Sequence, residues 1–192
     1  MIIKNITLAT TNEGKRKEFE LAFKGLNLQI SSLQEDLKCE EDGSSFFENA
    51  LQKAQLASKH TQTICLADDS GLCVDALSGA PGIHSARYFA NDKGLTKLLQ
   101  ALNGQNNRQA HFVCVLVLTA PDGSLIWHTE KHWHGHIAPE AKGSNGFGYD
   151  PIFIPNGMRL TAAELPAIQK NQLSHRALAI EDLKRFIESG CG

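Results

Sequence analysis

The sequence lacks the features that would place this protein outside a reducing, aqueous compartment. Its five cysteines include no C-x-x-C pair, and their odd count does not suggest a disulfide framework. Two of them, Cys65 and Cys114, lie within apolar runs, where cysteine is typically a small buried hydrophobic residue. No apolar run reaches membrane-spanning length, and the N-terminal one is too short for a signal peptide. We therefore expect a cytoplasmic protein with no membrane partner.

A strong excess of either charge is also absent. The 19 Lys and Arg residues nearly balance 21 Asp and Glu residues, which gives a formal net charge of -2. We therefore expect no nucleic-acid partner, although a few cations could still hold one nucleotide. No repeat, low-complexity tract or linker divides the chain, so residues 1–192 are expected to form a single domain.

Strand and helix patterns alternate in the first half of the chain. A strand pattern ending at Ala9 precedes an amphipathic helix, and residues 45–48 have the form of a capping box that begins a second helix. The apolar run before Asp68 predicts a buried strand that stops at that acid. Later, a Val- and Leu-rich run, the turn residues 121–123 and a returning strand predict a hairpin. This order predicts an α/β protein with a central mixed, twisted sheet.

Two helix signals occupy the last part of the chain. Residues 161–164 (Thr-Ala-Ala-Glu) have the form of another capping box. A final helix is expected to begin near Ser174 and to bury Leu178, Leu183 and either Phe186 or Ile187.

The tetrapeptide Asp68-Asp69-Ser70-Gly71 is the strongest candidate for a catalytic site. Successive strand residues point to opposite faces, so the two carboxylates are expected to have different roles. In open α/β sheets ligands bind at the carboxyl ends of strands, where we expect these residues. One acid would then be a Mg²⁺ ligand or general base. The alternative is an ordinary turn or helix cap, because Asp, Ser and Gly also favour turns.

A possible phosphate site lies between the first strand and the first helix. It consists of Thr10, Thr11, Asn12, Glu13, Gly14 and Lys15. A helix N-terminus attracts phosphate through its unpaired N–H groups, Gly14 allows close approach, and Lys15 adds a cation. The segment is not a Walker A motif, and the alternative is a capped helix with a surface lysine.

Three further groups have the chemistry of a nucleotide site. The acids Glu40, Glu41 and Asp42 suit Mg²⁺ ligation together with Asp68 and Asp69, although a short acidic run is usually a solvated turn. Residues 146–151 place aromatic rings between glycines, where they could lie under a base or pack into the core. Lys170, with Ser174, His175 and Arg176 at a helix start, could bind phosphate or a purine carbonyl, or could be a first helix turn with exposed cations. Cations there oppose the helix dipole, which favours a functional reason for them.

Alternating histidines form a last candidate. His128, His132, His134 and His136 share one parity and would lie on one strand face, which could build a zinc site. No acid or cysteine accompanies them at ligand spacing, so a solvated histidine face is the favoured interpretation.

Seven sequence blocks, in order, resemble the inosine/xanthosine triphosphate pyrophosphatase family. They are T-x-N-x-G-K at residues 10–15, F-x-E-N-A-x-x-K-A at 46–54, A-D-D-S-G-L at 67–72, G-A-P-G-x-x-S-A-R-Y at 79–88, G-F-G-Y-D-P at 146–151, T-A-A-E-L at 161–165 and S-H-R at 174–176. The resemblance covers nearly the whole chain. It departs from the family at His84, at residues 166–169 and at Ala177, none of which is a predicted site residue.

The resemblance implies an elongated α/β protein with two lobes, a nucleotide cleft and a homodimeric state. It implies Mg²⁺-dependent cleavage of dITP, ITP and XTP to the monophosphate and pyrophosphate, which would remove deaminated purines from the nucleotide pool.

The resemblance also implies a role for individual residues. Thr10 to Lys15 and Lys53 would hold the phosphates, Asp69 would be metal ligand and proton acceptor, and Glu40 or Glu41 would be a second ligand. Ser70 would contact the substrate. The base pocket would consist of Phe147, Gly148, Tyr149, Asp150, Lys170, His175 and Arg176. Two other classes stay open at this point, namely a triphosphate hydrolase that releases orthophosphate and a non-catalytic nucleotide sensor.

Overall fold

The computed structural model describes residues 3–24, 28–33, 37–89 and 93–190. The strands in these ranges are β1 (Asn5–Leu8), β2 (Gln29–Ser32), β3 (Cys65–Val74), β4 (Gln109–Thr119), β5 (Leu125–Ile137) and β6 (Phe153–Pro155). The α-helices are α1 (Glu13–Phe23), α2 (Phe46–Thr61), α3 (Ser85–Phe89), α4 (Gly94–Ala101), α5 (Ala167–Leu173) and α6 (His175–Glu188). None of the helices described combines the length and apolar composition that a membrane crossing requires.

One hydrogen-bonded sheet contains these strands in the order β2-β1-β3-β4-β5-β6. Strand β1 pairs in parallel with β2 and β3, whereas β5 pairs antiparallel with β6. Parallel neighbours joined through helices, followed by a hairpin, are the arrangement that the element order predicts. The predicted α/β class with a mixed sheet is therefore confirmed.

The chain forms two compact units, and each has a hydrophobic core of its own. Unit 1 comprises Met1–Asp69, Cys114–Lys131 and Arg176–Gly192. Its core includes Leu8, Phe19, Leu66, Leu116 and Leu183. Unit 2 comprises Ser70–Val113 and His132–His175. Its core includes Leu72, Leu98, Phe112, Trp133 and Phe153.

The prediction that a strand ends at Asp68 is wrong. Strand β3 continues through Asp68, Asp69, Ser70 and Gly71 as far as Val74. Both acids are nearly inaccessible, with 3% and 6% exposure. Buried carboxylates are tolerated when cations and hydrogen bonds compensate them, and that compensation allows the strand to continue.

The prediction of a helix beginning at residues 161–164 is also wrong. These residues form a turn, in which the Thr161 N–H donates to Glu164 Oε2 at 2.8 Å. The side-chain part of a capping box is therefore present without the helix. Pro166 disfavours a helical conformation of the residue before it, and α5 begins only at Ala167.

Helix α6 begins at His175, close to the prediction. Leu183 is buried and Phe186 and Ile187 pack against the core, as predicted. Leu178, however, is 39% exposed, and the buried residues are Arg176, Ala179, Ile180 and Leu183. The spacing of these four residues is i, i+3, i+4, i+7, which is one helix face. The prediction considered only apolar residues, and the buried arginine sets the rotation of the helix. Leu26, expected on the face of the first helix, lies outside the described residues.

Candidate active site

The N-terminus of α1 is held by short-range caps. The Asn12 side-chain oxygen accepts the Lys15 N–H at 3.0 Å, and Thr10 Oγ1 accepts the Asn12 N–H at 3.3 Å. The predicted capped helix is therefore present at residues 10–15, with Thr11 exposed and Glu13 in the first turn. Phosphate binding by this segment remains a prediction, and a capped helix N-terminus is compatible with it.

Asp68 lies within a buried network of charges in unit 1. Its Oδ1 is 3.0 Å from Lys15 Nζ, and its Oδ2 accepts from Arg176 Nη2 at 3.1 Å. The same arginine also donates to Glu18 on α1. Two carboxylates and two cations thus join α1, β3 and α6, and their formal charges cancel.

These contacts group Arg176, which was expected in a base pocket, with Asp68 and Glu18. Its side chain is only 2% exposed although it stands in the first turn of α6. The nearby carboxylates of Asp68 and Glu18 compensate for the unfavourable position of a cation at a helix N-terminus. Its role in substrate binding remains a prediction.

Asp69 has a different set of partners from Asp68, as the strand alternation predicts. Its Oδ1 accepts from Lys53 Nζ at 2.9 Å, and its Oδ2 accepts from Asn49 Nδ2 at 3.3 Å. Both partners come from α2, which begins with the predicted cap: Ser45 Oγ accepts the Glu48 N–H at 3.1 Å. Helix α2 therefore presents a cation and an amide to one carboxylate.

Glu41 also reaches Lys53, and its Oε1 lies 3.1 Å from the ammonium nitrogen. Two carboxylates from separate parts of the sequence, Glu41 and Asp69, therefore converge on one point. Glu40 is exposed, whereas Glu41 contacts Lys53, which is also a partner of Asp69. Oxygen donors of this kind suit a hard cation such as Mg²⁺, which often uses one or two carboxylates and completes its shell with phosphate and water.

The two acids differ in their protonation behaviour. Burial alone would raise the pKa of Asp68, but Lys15 and Arg176 outweigh burial and hold the pKa far below its ordinary value. Burial also raises the pKa of Asp69, and here the opposing effect of Lys53 is too weak to reverse it. Burial would lower the pKa of Lys53, but the two carboxylates raise it, so this lysine stays charged. Asp69 thus has the higher affinity for a proton, and Asp68 stays ionised at neutral pH.

A second cluster of predicted residues lies in unit 2. Lys170 Nζ is 2.5 Å from Asp150 Oδ2, and both side chains are buried. The same carboxylate oxygen accepts the Phe147 N–H at 2.8 Å, and the lysine nitrogen lies 5.0 Å from the Phe147 ring centroid. Asp150 therefore holds both the glycine-rich loop and Lys170 in place. As a result, the Lys170 ammonium group lies next to the Phe147 ring.

The other predicted site residues of unit 2 are Tyr149, His175, Gly148 and Ser70. Tyr149 is buried, and its hydroxyl donates to the Ser85 carbonyl at 2.9 Å. His175 is buried and stacks on Phe112 with ring centroids 4.7 Å apart. Gly148 has φ +62° and open space where a Cβ would stand. Ser70 follows Asp69 in β3 and is half-buried.

Three of the four alternating histidines contact other rings. His132 and His134 are exposed and lie near His111, with ring centroids 5.1 Å and 5.4 Å from it. His128 instead packs on Phe47 at 4.9 Å. Among the residues described, no group of three or more His, Cys, Asp or Glu has the arrangement of a metal site.

Sequence reasoning missed two residues of the unit 1 site, Glu18 and Asn49. Glu18 lies one turn after Lys15 on α1, so an i, i+3 spacing from a predicted phosphate ligand is a signal that could have found it. Asn49 lies four residues before Lys53 and is therefore on the same helix face. Asn49 belongs to the sequence block at residues 46–54. That block does not identify Asp69 as its partner, because the two residues are 20 positions apart in the chain.

The fold and these two clusters define an α/β protein with a carboxylate and cation site suited to a polyphosphate. Residues 6–186 match the family model described as Ham1 family, and the chain belongs to the Ham1 family. A dITP/XTP pyrophosphatase of Synechocystis sp. is 43% identical over 179 residues, which are 93% of this chain and 92% of the relative. A protein of the same name from Listeria monocytogenes serovar 1/2a is 45% identical over 193 residues, covering 95% and 94%.

A solved structure supports the same relationship. A HAM1 protein from Coxiella burnetii superposes with a TM-score of 0.88 at 38% identity, over 97% of this chain and all of that one. The family resemblance predicted from the seven sequence blocks is confirmed.

Proposed function

We propose that this protein hydrolyses the non-standard purine nucleoside triphosphates dITP, ITP and XTP to the monophosphate and pyrophosphate. The observation that carries the proposal is the buried Asp69 carboxylate, which shares Lys53 with Glu41 in a chain 43–45% identical to proteins named dITP/XTP pyrophosphatase. The acids Asp69 and Glu41 and the cations Lys15 and Lys53 are proposed for the polyphosphate, and Phe147 and Lys170 are proposed for the base.

Asp69 and Glu41 would hold Mg²⁺, the divalent cation proposed here. When bound, the ion neutralises phosphate oxygens that would otherwise repel a nucleophile. Lys53 helps to fix both carboxylates, since its ammonium group lies within 3.1 Å of an oxygen of each.

Asp69 is the proposed general base for the attack of water on the α-phosphorus. It is the buried carboxylate beside Glu41, and Asn49 donates a hydrogen bond to its second oxygen and so helps to orient it. Lys15 and Lys53 would stabilise the negative charge that develops on the departing pyrophosphate. Asp68 keeps Lys15 in place through the 3.0 Å ion pair.

Selectivity would come from hydrogen bonding at C6 of the purine. Hypoxanthine and xanthine have a carbonyl oxygen there, whereas adenine has an amino group. Lys170 is charged and held by Asp150, so it can only donate, and adenine would leave a donor facing a donor. Sites that require a hydrogen bond reject such analogues strongly. Guanine shares the carbonyl, so its rejection would depend on the amino group at C2.

A panel of dITP, ITP, XTP, GTP and ATP tests the function, with pyrophosphate and orthophosphate measured separately at several Mg²⁺ concentrations and in EDTA. We expect Mg²⁺-dependent release of pyrophosphate with dITP, ITP and XTP preferred. Preference for ATP, or release of orthophosphate alone, would contradict the proposal. Nucleotide binding without turnover would favour a sensor.

We also propose a homodimer that works in the cytoplasm, as the family resemblance implies. Light scattering coupled to size-exclusion chromatography will give the mass in solution, and the dimer would have twice the 21.0 kDa of one chain.

A further inference from the structure

Asn49 makes one hydrogen bond with each end of its side-chain amide. The oxygen accepts the Gly43 N–H at 2.9 Å, and the nitrogen donates to Asp69 Oδ2 at 3.3 Å. The residue is 1% exposed, and its contact with Asp69 is buried while its contact with Gly43 is partly buried. One side chain therefore connects the proposed general base to the acidic segment before α2.

Residues 41–44, which form the end of the acidic segment before α2, run antiparallel to one face of that helix. Each of the four residues contacts the helix. The helix residues are spaced i, i+1, i+4 and i+5, which places them on one face. The pairs are Ser44 with Glu48, Gly43 with Asn49, Asp42 with Gln52, and Glu41 with Lys53. The Gly43–Asn49 bond is partly buried, whereas the Ser44–Glu48 and Asp42–Gln52 bonds are exposed, and it lies two residues from Glu41.

We propose that Asn49 is a positioning residue that sets the distance between the carboxylates of Glu41 and Asp69, and so the affinity of the site for a divalent cation. The inference rests on the proposed function for the identity of the two ligands. Asn49 contacts neither the cation nor the nucleotide in this scheme. It acts through Asp69 on one side and through the backbone at Gly43 on the other.

The chemistry of the position admits few other residues. The amide accepts from a backbone N–H and donates to a carboxylate through two separate atoms. An ionised aspartate has no donor, leucine has neither group, and serine offers a single oxygen for both bonds. Gly43 is matched to it, because a Cβ there would stand 2.7 Å from Asn49 Oδ1 and 2.8 Å from Glu48 Cβ. Partners that orient metal ligands typically contribute a factor of about 10–100 to metal affinity or activity.

The test is the binding of Mn²⁺ alone, measured by electron paramagnetic resonance on the nucleotide-free protein, together with kcat and KM for dITP. We expect Asn49→Leu to weaken Mn²⁺ binding by about 10–100-fold and to lower kcat, with a much smaller change in KM. Gly43→Ala should weaken Mn²⁺ binding as well, because it displaces the same amide from its other end.

Gln55→Leu is the matched control. It replaces another amide on α2 that donates to a backbone carbonyl, that of Gly123 at 3.1 Å, away from the acids. We expect it to bind Mn²⁺ as the wild type does. Melting curves identify any variant that fails to fold, and Gly43→Ala then decides the question if Asn49→Leu is unfolded.

A folded Asn49→Leu or Gly43→Ala protein that binds Mn²⁺ as tightly as the Gln55→Leu control would overturn the proposal. Failure of the proposed function is a separate result. It would appear as wild-type protein that binds Mn²⁺ but releases no pyrophosphate from dITP or XTP.

Discussion

The two adjacent carboxylates on β3, Asp68 and Asp69, have surroundings that shift their pKa values in opposite directions. Asp68 is paired with Lys15 and Arg176, and its pKa is held far below the ordinary value. Asp69 has one cation and one neutral amide, and burial raises its pKa. The difference arises because neighbouring strand residues face opposite sides, where different helices supply the partners. Of the two carboxylates, Asp69 therefore has the higher affinity for a proton.

Asp69→Asn should lower kcat for dITP by on the order of 10²-fold or more, because the amide cannot take a proton from water. The change is nearly isosteric, so the melting temperature should fall little. Steady-state pyrophosphate release measures the effect. Asp122→Asn, in the exposed turn of the hairpin, is the control and should keep wild-type turnover. Near-normal turnover of Asp69→Asn would refute the assignment of the base.

Asp68→Asn should instead act on stability. The neutral amide leaves buried cations insufficiently compensated, which we expect to cost about 3 kcal/mol in the free energy of unfolding at pH 7. Because the folded-state pKa is lowered, the stabilisation by Asp68 is complete above the unfolded-state pKa of about 3.9 and declines below it.

Urea unfolding of Asp68→Asn and wild type at pH 7 and pH 3 measures this effect. The difference between the two proteins should be smaller at the lower pH. An equal difference at both pH values would show that the loss comes from packing and not from charge.

At the scale of elements, the glycine-rich loop before β6 depends on close packing around one carboxylate. Gly146 has φ +72°, and a Cβ there would lie only 2.0 Å from Asp150 Oδ2. That oxygen also accepts from Phe147 and Lys170. The loop can therefore hold Lys170 and the Phe147 ring together only if residue 146 has no side chain.

Gly146→Ala should raise KM for dITP by about tenfold, equivalent to a loss of ~1.4 kcal/mol of binding, with a smaller change in kcat. The physical reason is displacement of Asp150 and, with it, Lys170. Gly157→Ala controls for backbone strain, since Gly157 has a similar φ of +77° but open space around the added carbon. If both variants raise KM equally, the contact with Asp150 is not the cause.

Element types were easier to predict from this sequence than element ends. The hairpin of β4 and β5 and the cap of α2 follow from local turn and capping residues, and both are present. The continuation of β3 past Asp68 was not predictable, because it depends on Arg176, 108 residues away along the chain. On α6 the prediction was right for Leu183 and wrong for Leu178, and it missed Arg176, since a buried arginine looks like a surface residue in a hydrophobic pattern.

At the scale of the whole molecule, the predicted site residues divide between the two units by chemistry. Asp69, Glu41 and Lys53 belong to unit 1, and Asp150 and Lys170 belong to unit 2. The sequence motifs predicted most of these residues, because each motif is short and contiguous. They did not predict the grouping of Arg176 with Asp68, since that depends on tertiary pairing.

This division predicts that the same substitution will have different kinetic effects in the two units. Lys53→Gln should lower kcat by on the order of 10²-fold for dITP and dATP alike, because it removes a cation from the phosphates. Lys170→Gln should mainly reduce the preference for dITP over dATP. A glutamine amide can donate to a 6-carbonyl or accept from a 6-amino group, whereas a charged lysine can only donate.

The measurement is kcat/KM for both nucleotides with both variants, alongside melting curves. If Lys53→Gln changes the dITP to dATP ratio as much as Lys170→Gln does, the assignment of phosphate chemistry to one unit and base recognition to the other is wrong.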